Sequence, residues 1–522
     1  MLKFADVWQG LIGSTEATPT SLADQAITAV VIDSRAAQPG ALFVALRGEK
    51  TDGNLYLTDA FARGAIAAVV EAPGITDGRW PMADSWLVDC RGPRVEIRQP
   101  DTSAESCPEP RAKSADARVE SVSPEPDEGL RQSGQSPKKC LFVVEDSLAA
   151  LQKLSAHWRA QMPAEVIGIT GSVGKTTTKE IVANVLAQRF TTLRSEGNLN
   201  NEIGLPLTLL RLTPRHQRVV LEMGMYAIGE IAHLCKLARP RFGVVTNVGP
   251  SHLARLGSIE RIAEAKAELV QALPPAEQGG VAILNADEPL VRSMAGLTRA
   301  RVFTYGLNPA SDLWADEITS QGLDGIRFQC HRGKEVFHLR LPLLGRHSVH
   351  TALRGAAVGL VNGMSWTEII AGLQDVRGQL RILVVPGLRG TTLIDDTYNA
   401  SPASMLAALN LLEDIASAGH RNIAVLGDMF ELGSYEEQGH RLVGGRAAQV
   451  VDKLITVGRR AHWIAEEAWA SGMPSASIHP TDSNADAIAV LQGLIRAGDV
   501  ILVKGSRAAA MDVIVDALSR PR

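Results

Sequence analysis

The sequence predicts an α/β protein of three domains built on doubly wound, mostly parallel sheets. Short runs rich in β-branched residues alternate with segments of helical periodicity along most of the chain, which is the pattern of βαβ units. Most of these runs are continuously apolar, as expected for parallel strands that helices cover on both faces. The chain has 522 residues, which is too long for one hydrophobic core and favours about three domains.

The strands can be assigned in chain order from these apolar runs. They include Ala41–Leu46, Val166–Thr170, Val219–Glu222, Val244–Asn247, Val281–Asn285, Thr392–Asp395, Ile423–Leu426, Leu454–Val457 and Val500–Val503. Polar residues end or follow several of them: Glu222 ends one run, and Asp396 and Lys504 follow two others. Ligands of doubly wound sheets bind beyond the carboxyl ends of the strands, so we expect the functional site there.

The composition argues against several classes of partner. A net charge of −4 provides no overall basic field for nucleic acid or an anionic membrane. The first residues lack the apolar core of a signal peptide, and no run of about eighteen apolar residues predicts a membrane span. The cysteines are scattered without a CxxC pair, which indicates free thiols in a reducing compartment. They are Cys90, Cys107, Cys140, Cys235 and Cys330. We therefore expect a cytoplasmic location.

The segment Arg91–Lys139 differs from the rest of the chain. It is rich in Pro, Glu, Ser and Arg and has no aromatic residue. Such a segment buries too little apolar surface to offset its ordering entropy. Strand-like text flanks it, SWLVDC before and CLFVVED after. We predict a disordered insertion within the first domain and interpret it as a solvated linker rather than a binding tail.

A phosphate-binding loop is predicted after the strand Val166–Thr170. The text GSVGKTTTKE follows this strand and leads into an amphipathic helix. Glycines allow successive backbone N–H groups to point at phosphate oxygens, and the helix N-terminus adds partial positive charge. Lys175 would reach the β- and γ-phosphates, and the Thr176 hydroxyl would bind magnesium. The strict pattern GxxxxGK[ST] is not met, and the alternative is an incidental glycine turn.

Two further residues are candidates for binding magnesium, which prefers hard oxygen ligands. Glu222 ends the run RVVLEMG, where a metal-binding acid is common; a solvated loop carboxylate is the alternative. His252 lies in TNVGPSHL, and a single histidine of this kind is more often structural than a ligand.

The segment Ser258–Leu273 predicts a helix that carries a lysine among apolar residues. Apolar residues recur at helical spacing, and Lys266 falls between them, whereas Glu264 and Glu268 are predicted to point away. A lysine on an apolar face needs a partner or a route to solvent, so snorkelling or an ion pair would explain it. The other explanation is that Lys266 serves a charged active site beside the helix.

As an ordered set, these motifs resemble the Mur ligase family. The matching segments cover nearly the whole chain apart from the insertion. They are GITGSVGKTTTKE, NLNNEIGLPLTLL, LEMGM, TNVGPSHL, AKAEL, LNADEP, DDTYNASPASM, VLGDMFELG and LVKGSR. The resemblance implies three domains: a UDP-sugar-binding domain at 1–160, a central P-loop-type ATP-binding domain at 161–378 and a Rossmann-like ligase domain at 379–522.

The resemblance also implies the reaction and its substrates. Family members use ATP to convert a carboxylate into an acyl phosphate, and an amine then displaces phosphate to form an amide. The last domain lacks the DNPR-like motif of the member that adds a diamino acid. The chain therefore resembles the member that adds D-alanyl-D-alanine to UDP-N-acetylmuramoyl-tripeptide in peptidoglycan precursor synthesis, and we expect a monomer.

Residue roles follow from the same resemblance. The implied catalytic residues are Lys175, His252 and Lys266. The implied nucleotide-binding residues are Gly171, Ser172, Val173, Gly174, Lys175, Thr176, Thr177, Asn201, Asp396 and Asn399. Two magnesium ions are implied, one held by Thr176 and Glu222 and the other by His252 and a carbamylated Lys266. The implied substrate contacts are Ser34, Arg35, Thr51, Asp52 and Gly53 for the UDP-sugar, and Lys504, Ser506 and Arg507 for the dipeptide.

The chain departs from the family pattern at some nucleotide contacts. Ser348 and Thr351 stand where asparagines are usual, one of which helps to hold the adenine. Gln379 stands where an arginine usually faces phosphate, and Arg377 or Arg381 are possible replacements. Two alternatives therefore remain: another amide ligase of the Mur or folylpolyglutamate type, or a nucleotide-binding regulatory protein without catalysis.

Overall fold

The strands of the protein form three sheets. The computed structural model describes residues 1–13, 18–48, 51–71, 85–91, 95–98, 139–375, 382–415 and 420–519. Within these ranges the sheets have six, nine and six strands, and most neighbouring strands are parallel. These sheets confirm the predicted α/β class. The chain divides into two compact units, the first of Met1–Met162 with Leu209–Thr213 and the second of the remaining residues.

The first unit contains the six-stranded N-terminal sheet. Its strands are β1 (Val30–Val31), β2 (Leu42–Val44), β3 (Ala67–Glu71), β4 (Ser85–Asp89), β5 (Glu96–Arg98) and β6 (Lys139–Val144). Its helices are α1 (Phe4–Ile12), α2 (Thr20–Ala23), α3 (Leu57–Ala62) and α4 (Ser147–Ala160). The strand order is β1-β2-β3-β6-β4-β5, and only β5 runs antiparallel to its neighbour.

The predicted disordered insertion Arg91–Lys139 is wrong at both of its ends. Glu96–Arg98 forms the edge strand β5, paired with Leu87–Asp89, and Lys139 begins β6. Backbone hydrogen bonds to β4 stabilise β5, so this strand forms although the surrounding composition is polar. Residues 92–94 and 99–138 lie outside the described ranges.

The second unit begins with the nine-stranded central sheet. Its strands are β7 (Glu165–Thr170), β8 (Thr192–Arg194), β9 (Arg218–Glu222), β10 (Phe242–Val245), β11 (Val281–Asn285), β12 (Arg301–Gly306), β13 (Leu313–Ser320), β14 (Ile326–Arg332) and β15 (Glu335–Leu341). Its helices are α5 (Lys175–Ala187), α6 (Gly204–Leu209), α7 (Glu230–Ala238), α8 (Leu253–Leu256), α9 (Ile259–Gln271), α10 (Pro289–Ser293), α11 (Ser348–Val361) and α12 (Trp366–Gln374).

The strand order of the central sheet indicates at which edge of the sheet a ligand would bind. The order is β15-β14-β13-β12-β11-β10-β7-β9-β8, so β7 lies between β10 and β9 and is parallel to both. Ligands of open α/β sheets bind outside the carboxyl ends of strands where the order reverses. Helices α5, α11 and α12 pack together beside this sheet and bury Ile181, Leu353 and Ile369 completely or nearly so.

The second unit also contains the six-stranded C-terminal sheet. Its strands are β16 (Leu383–Pro386), β17 (Thr392–Asp396), β18 (Asn422–Gly427), β19 (Lys453–Val457), β20 (Ile478–Thr481) and β21 (Val500–Lys504). Its helices are α13 (Pro402–Ile415), α14 (Glu436–Val450), α15 (His462–Ala470), α16 (Asn484–Leu494) and α17 (Asp512–Leu518). The order is β16-β17-β21-β18-β19-β20, with only β16 antiparallel. Two separate apolar clusters pack against this sheet, as expected for a doubly wound fold.

All nine strands predicted from apolar runs are confirmed, and Val281–Asn285 matches β11 at both ends. The four cysteines in the described ranges, Cys90, Cys140, Cys235 and Cys330, are free thiols, whereas Cys107 lies outside these ranges. Every helix in the described parts of the chain is too short or too polar to cross a bilayer.

Candidate nucleotide and ligation site

A large cavity of about 1290 Å³ lies within the second unit. Residues after β7, β9 and β10 of the central sheet line it, together with residues after β17 and β21 of the C-terminal sheet. Thirteen of the site residues predicted from the sequence line this cavity. They are Ser172, Val173, Gly174, Lys175, Thr177, Asn201, Glu222, His252, Asp396, Asn399, Lys504, Ser506 and Arg507. The carboxyl edges of two sheets thus face one shared space.

The predicted phosphate loop connects β7 to α5. Gly171 and Gly174 have positive φ angles of 145° and 82°, a backbone region that favours glycine. Gly174 is the N-cap of α5, and Lys175 is the first helical residue. The Lys175 ammonium donates to the Gly171 carbonyl oxygen at 2.8 Å, so the side chain folds back over the loop. The loop therefore has the turn, the helix N-terminus and the lysine that phosphate binding requires.

The residues after β10 hold the phosphate loop in place. The Thr246 hydroxyl donates to the Val173 carbonyl at 2.7 Å. The Asn247 side chain accepts from Val173 N–H at 2.8 Å and donates to its carbonyl at 3.0 Å. A Cβ atom on Gly171 would overlap the Thr246 hydroxyl, so this close approach requires glycine. The loop is consequently fixed before any ligand binds.

Hard oxygen atoms suited to magnesium lie beside the loop. The Thr176 hydroxyl donates to the Glu222 carboxylate at 2.6 Å, and the Asn200 amide donates to its other oxygen at 2.8 Å. Glu222 is 2% exposed and faces the cavity, so its charge is directed into the site. Magnesium favours oxygen ligands of this kind together with phosphate and water. In the described ranges, no three His, Cys, Asp or Glu side chains are placed to hold a metal ion together, so phosphate or modified side chains would have to complete the ligand sets.

Lys266 is one of the most deeply buried charged residues of the protein. It lies in α9, which confirms the helix predicted for this segment, and it is 2% exposed. Burial lowers the pKa of its amine well below the usual value, and the nearby Lys175 cation lowers it further. An amine in this setting favours the neutral form. The side chain does not reach solvent, so snorkelling does not explain it.

The prediction that Glu268 points away from the core is wrong. This residue is 8% exposed, and its carboxylate accepts from the Gly229 N–H and from the Ala232 N–H, the latter at 2.8 Å. These two donors belong to the N-terminal turn of α7, whose unpaired N–H groups attract a carboxylate. Helical periodicity alone did not reveal this partner, whereas Glu264 is exposed as predicted.

His252 lies between the two sheets of the second unit. Its Nδ1 atom lies 2.6 Å from a Glu431 carboxylate oxygen, outside the direction of a ring-nitrogen hydrogen bond. Both residues have positive φ angles, 57° and 65°. Burial lowers the pKa of His252, Glu431 raises it, and the cations of Lys175 and Lys266 lower it. The three predicted catalytic residues therefore influence one another electrostatically.

A buried ion pair lies at the C-terminal side of the cavity. The Lys504 ammonium donates to the Asp396 carboxylate at 2.6 Å and to the Asn399 carbonyl at 2.8 Å. Lys504 is 1% exposed and Asp396 is 8% exposed. The Ser506 hydroxyl accepts from Phe430 N–H at 3.0 Å. Arg507 lies over the Tyr398 ring at 5.2 Å from its centre and lines the cavity.

The predicted UDP-sugar contacts lie in the first unit. Ser34 is buried at the start of a 3-10 turn, and Arg35 is exposed and paired with Asp33 at 2.7 Å. The Arg35 guanidinium lowers the pKa of Asp33 to about 2.

A second turn of the first unit carries the other predicted contacts. It contains Thr51, Asp52 and Gly53. Asp52 accepts from the backbone and side-chain amides of Asn54 at 2.9 and 2.7 Å. A Cβ atom on Gly53 would lie 2.7 Å from the Leu46 carbonyl, so the turn requires glycine.

Gly171, Thr176 and Lys266 do not line the cavity directly, although each contacts or electrostatically influences a residue that does. Arg377 and Gln379 lie outside the described ranges, as does Arg381. Ser348 and Thr351 line the cavity.

Sequence reasoning missed Arg354 of α11, which is 5% exposed and also lines the cavity. The signal available was a single arginine in the otherwise small and apolar run ALRGAAVG.

Family models match most of the described chain. The Mur ligase middle domain matches residues 169–359, and the Mur ligase glutamate ligase domain matches residues 380–507. The model described as the Mur ligase family catalytic domain matches residues 26–102.

Similar proteins match along nearly the full chain. Three are named UDP-N-acetylmuramoyl-tripeptide–D-alanyl-D-alanine ligase. The Mycobacterium tuberculosis protein is 36% identical, covering 96% of this chain and 94% of the relative. The Escherichia coli protein is 34% identical over 95% and 94% of the two chains. The Bacillus subtilis protein is 33% identical over 94% and 92%.

Solved structures give the same result for the fold. A crystal structure of MurF from Acinetobacter baumannii superposes with a TM-score of 0.75 and 26% identity, covering 98% of this chain and 97% of that chain. MurF from Thermotoga maritima in complex with ADP gives a TM-score of 0.70 and 25% identity over 94% and 96%. The identities to the relatives, their coverage and the matched domains together show that this chain belongs to the Mur ligase family.

Proposed function

We propose that this protein is an ATP-dependent amide ligase that joins D-alanyl-D-alanine to UDP-N-acetylmuramoyl-tripeptide in peptidoglycan precursor synthesis. The observation that carries the proposal is the convergence of the phosphate loop and the Lys504 end of β21 on one cavity. Such a site can hold a nucleotide and an amine on either side of a carboxylate. The names of the similar proteins support the same substrates.

The chemistry requires activation of the carboxylate, because its oxygen is a poor leaving group towards an amine. ATP transfers its γ-phosphoryl group to the carboxylate, giving an acyl phosphate and ADP. The amine of the dipeptide then attacks the carbonyl carbon, and phosphate leaves as the amide forms. Positioning and charge neutralisation supply most of the catalysis of phosphoryl transfer. Enclosure in the cavity protects the acyl phosphate from water.

The central sheet would hold the nucleotide. The N–H groups of the phosphate loop and the Lys175 ammonium would bind the phosphates, with Asn201 at the rim. Thr176 and Glu222 would hold one magnesium ion, because their oxygen atoms already converge at 2.6 Å. Magnesium at this place would neutralise charge that develops on the phosphate oxygens.

A carbamylated Lys266 together with His252 would hold the second magnesium ion. Carbamylation requires a neutral amine that attacks carbon dioxide, and burial beside Lys175 favours that form of Lys266. The product is an anionic oxygen ligand, which would also balance the nearby Lys175 cation. We therefore expect Lys266→Met to be nearly inactive and a short added carboxylate to restore part of the activity. Full activity without the additive would remove Lys266 from the metal site.

The remaining substrates are assigned by domain. We assign the UDP-sugar to residues 1–160, with Ser34, Arg35 and the turn Thr51–Gly53 as contacts. ATP is assigned to 161–378 and the dipeptide to 379–522, where Lys504, Ser506 and Arg507 lie at the cavity. Asp396 and Asn399 approach the nucleotide from this last domain. Since ATP and nucleotide-linked sugars are cytoplasmic metabolites, we place the reaction in the cytoplasm, carried out by a monomer.

The decisive test is phosphate release that depends on both co-substrates. Purified protein is incubated with magnesium-ATP, candidate UDP-N-acetylmuramoyl-tripeptides and D-alanyl-D-alanine, and the amide product is identified by mass spectrometry. Omitting either co-substrate should abolish steady release of phosphate. A diamino acid or glutamate that replaces the dipeptide with equal efficiency would favour another amide ligase of the family. Nucleotide binding without any turnover would favour a regulatory protein.

A matched pair of lysine variants identifies the site within the same assay. Lys175→Met should reduce turnover by at least about a thousandfold, because the charge that binds the transferred phosphate is lost. Lys236→Met, in α7 and outside the cavity, should leave turnover within about twofold. Near-normal turnover of Lys175→Met would contradict the phosphate-loop assignment.

A further inference from the structure

Arg354 is a buried cation at the wall of the cavity. It lies in the middle of α11, is 5% exposed and belongs to the residues that line the cavity. Its Nη1 donates to the Thr178 hydroxyl at 2.7 Å, and its Nε donates to the His350 carbonyl at 2.9 Å. Its Nη2 lies 3.5 Å from the Thr351 hydroxyl. The guanidinium group is therefore held in one orientation by neutral oxygen atoms.

In the part of the chain that the structure describes, no carboxylate pairs with this charge. Among the residues that the structure describes, none forms an ion pair with Arg354, and its three hydrogen bonds use three of the five N–H donors of a guanidinium. Burial lowers the pKa of Arg354, and Tyr305 opposes this shift. A buried charge without a counter-charge is costly, so its retention calls for an anion that is supplied from outside the chain.

The surroundings of Arg354 are already positive. Its Nη1 would lie 3.3 Å from a Cβ atom placed on Gly174, so the guanidinium borders the phosphate loop. Its partner Thr178 lies in the first turn of α5, whose N-terminus carries partial positive charge, and Lys175 adds a full charge. These like charges repel one another across the cavity. A polyphosphate would satisfy all of them together.

We propose that Arg354 binds a phosphate group of the nucleotide directly, as a second cation beside Lys175. The inference rests on the proposed ATP-dependent function and adds one residue of a different element to its nucleotide site. Arginine suits this place because its planar fork keeps two N–H groups available for phosphate while the others remain bonded to the protein.

The test compares two ligands and two neutral variants by titration calorimetry. Magnesium-ADP carries a base and phosphates, whereas tripolyphosphate carries phosphates alone. Arg354→Met and Arg354→Gln should each weaken the binding of both ligands by about tenfold or more, which is equivalent to about 1.4 kcal/mol of binding free energy. Their melting temperatures without ligand should equal or exceed that of the wild type, because an unbalanced charge has been removed. Arg218→Met is the matched control, since Arg218 is half-buried in the same domain and outside the cavity.

Each outcome decides a separate question. If the wild type itself does not bind magnesium-ADP, the proposed function fails. If the wild type binds and a folded neutral variant binds both ligands equally well, the role of Arg354 fails alone. Weaker binding of ADP with unchanged binding of tripolyphosphate would make Arg354 a contact of the base and overturn the inference. If neither neutral variant folds, the test uses Arg354→Lys. The inference then requires that the affinities for magnesium-ADP and for tripolyphosphate change by the same factor. A change in the affinity for magnesium-ADP alone overturns the inference.

Discussion

The buried pair Lys504–Asp396 allows a quantitative prediction about stability. We consider Asp396→Asn, which keeps the shape of the side chain and removes its charge. The two charged atoms lie 2.6 Å apart, and Lys504 is 1% exposed. At an effective dielectric constant of about 20, their direct attraction is about 6 kcal/mol. Desolvation offsets part of this value, and removal of one partner from a buried pair typically costs about 3–5 kcal/mol.

This loss should be visible by scanning calorimetry. For a domain of this size, about 3 kcal/mol corresponds to a fall in melting temperature of roughly 6–12 °C. Lys504→Met should cost less than Asp396→Asn, because it leaves unpaired the more exposed partner, Asp396 at 8%, rather than Lys504 at 1%. The double variant should lose less than the sum of the two single variants, since the charges interact with each other. Glu437→Gln is the control, because Glu437 pairs with Arg441 at the surface and should contribute below about 1 kcal/mol.

Two results would refute this reasoning. A fall of less than about 2 °C for Asp396→Asn would mean that solvent or another group compensates Lys504. Additive losses in the double variant would mean that the two residues stabilise the domain independently of each other.

Three further predictions concern other elements. Desolvation by the surrounding protein lowers the pKa of His347 to about 4, although its surface is exposed to the cavity. The unfolded chain therefore binds the proton first, and the free energy of unfolding falls as the pH drops from about 6.5 to 4. Solvent screens an exposed group, so this fall should be only about 1 kcal/mol, and His347→Leu should flatten this part of a urea-unfolding series. An unchanged slope would assign the acid sensitivity to other groups. Gly171→Ala should weaken the binding of magnesium-ADP by about tenfold or more in calorimetry, because the new methyl group overlaps the Thr246 hydroxyl. An affinity equal to that of the wild type would show that the loop can move to accommodate the methyl group. Glu268→Ala should lower the free energy of unfolding in urea by about 1–2 kcal/mol, because the α7 helix loses its cap. The exposed Glu264→Ala should change this free energy by no more than about 0.5 kcal/mol. Equal effects of the two substitutions would contradict the capping role of Glu268.

The sequence predicted strands best where helices cover them on both sides. Val281–Asn285 is continuously apolar and continuously buried, so its limits are visible in the sequence. Strands β13, β14 and β15 were missed because they are antiparallel and have one exposed face. Their burial alternates along the chain, and a search for unbroken apolar runs does not detect this pattern.

Site residues were predictable where the chemistry depends on neighbours in the chain. The phosphate loop is local, and its glycines and Lys175 follow one strand in the expected order. Arg354 and Glu268 act on loops that are distant in sequence, Gly174 and Gly229 respectively. Only the folded chain brings these groups together, so spacing along the sequence carried no signal for either contact.

The short strand β5 has a consequence for how this chain tolerates changes of length. Strands β5 and β6 each pair with β4, so the points where the chain leaves and rejoins the sheet are fixed by separate ladders. Closing a longer connection costs little, about 0.6 kcal/mol for each doubling of its length. Insertions and deletions between residues 99 and 138 should therefore change the stability of the first domain little. The same position is suited to grafting a fluorescent reporter into the enzyme.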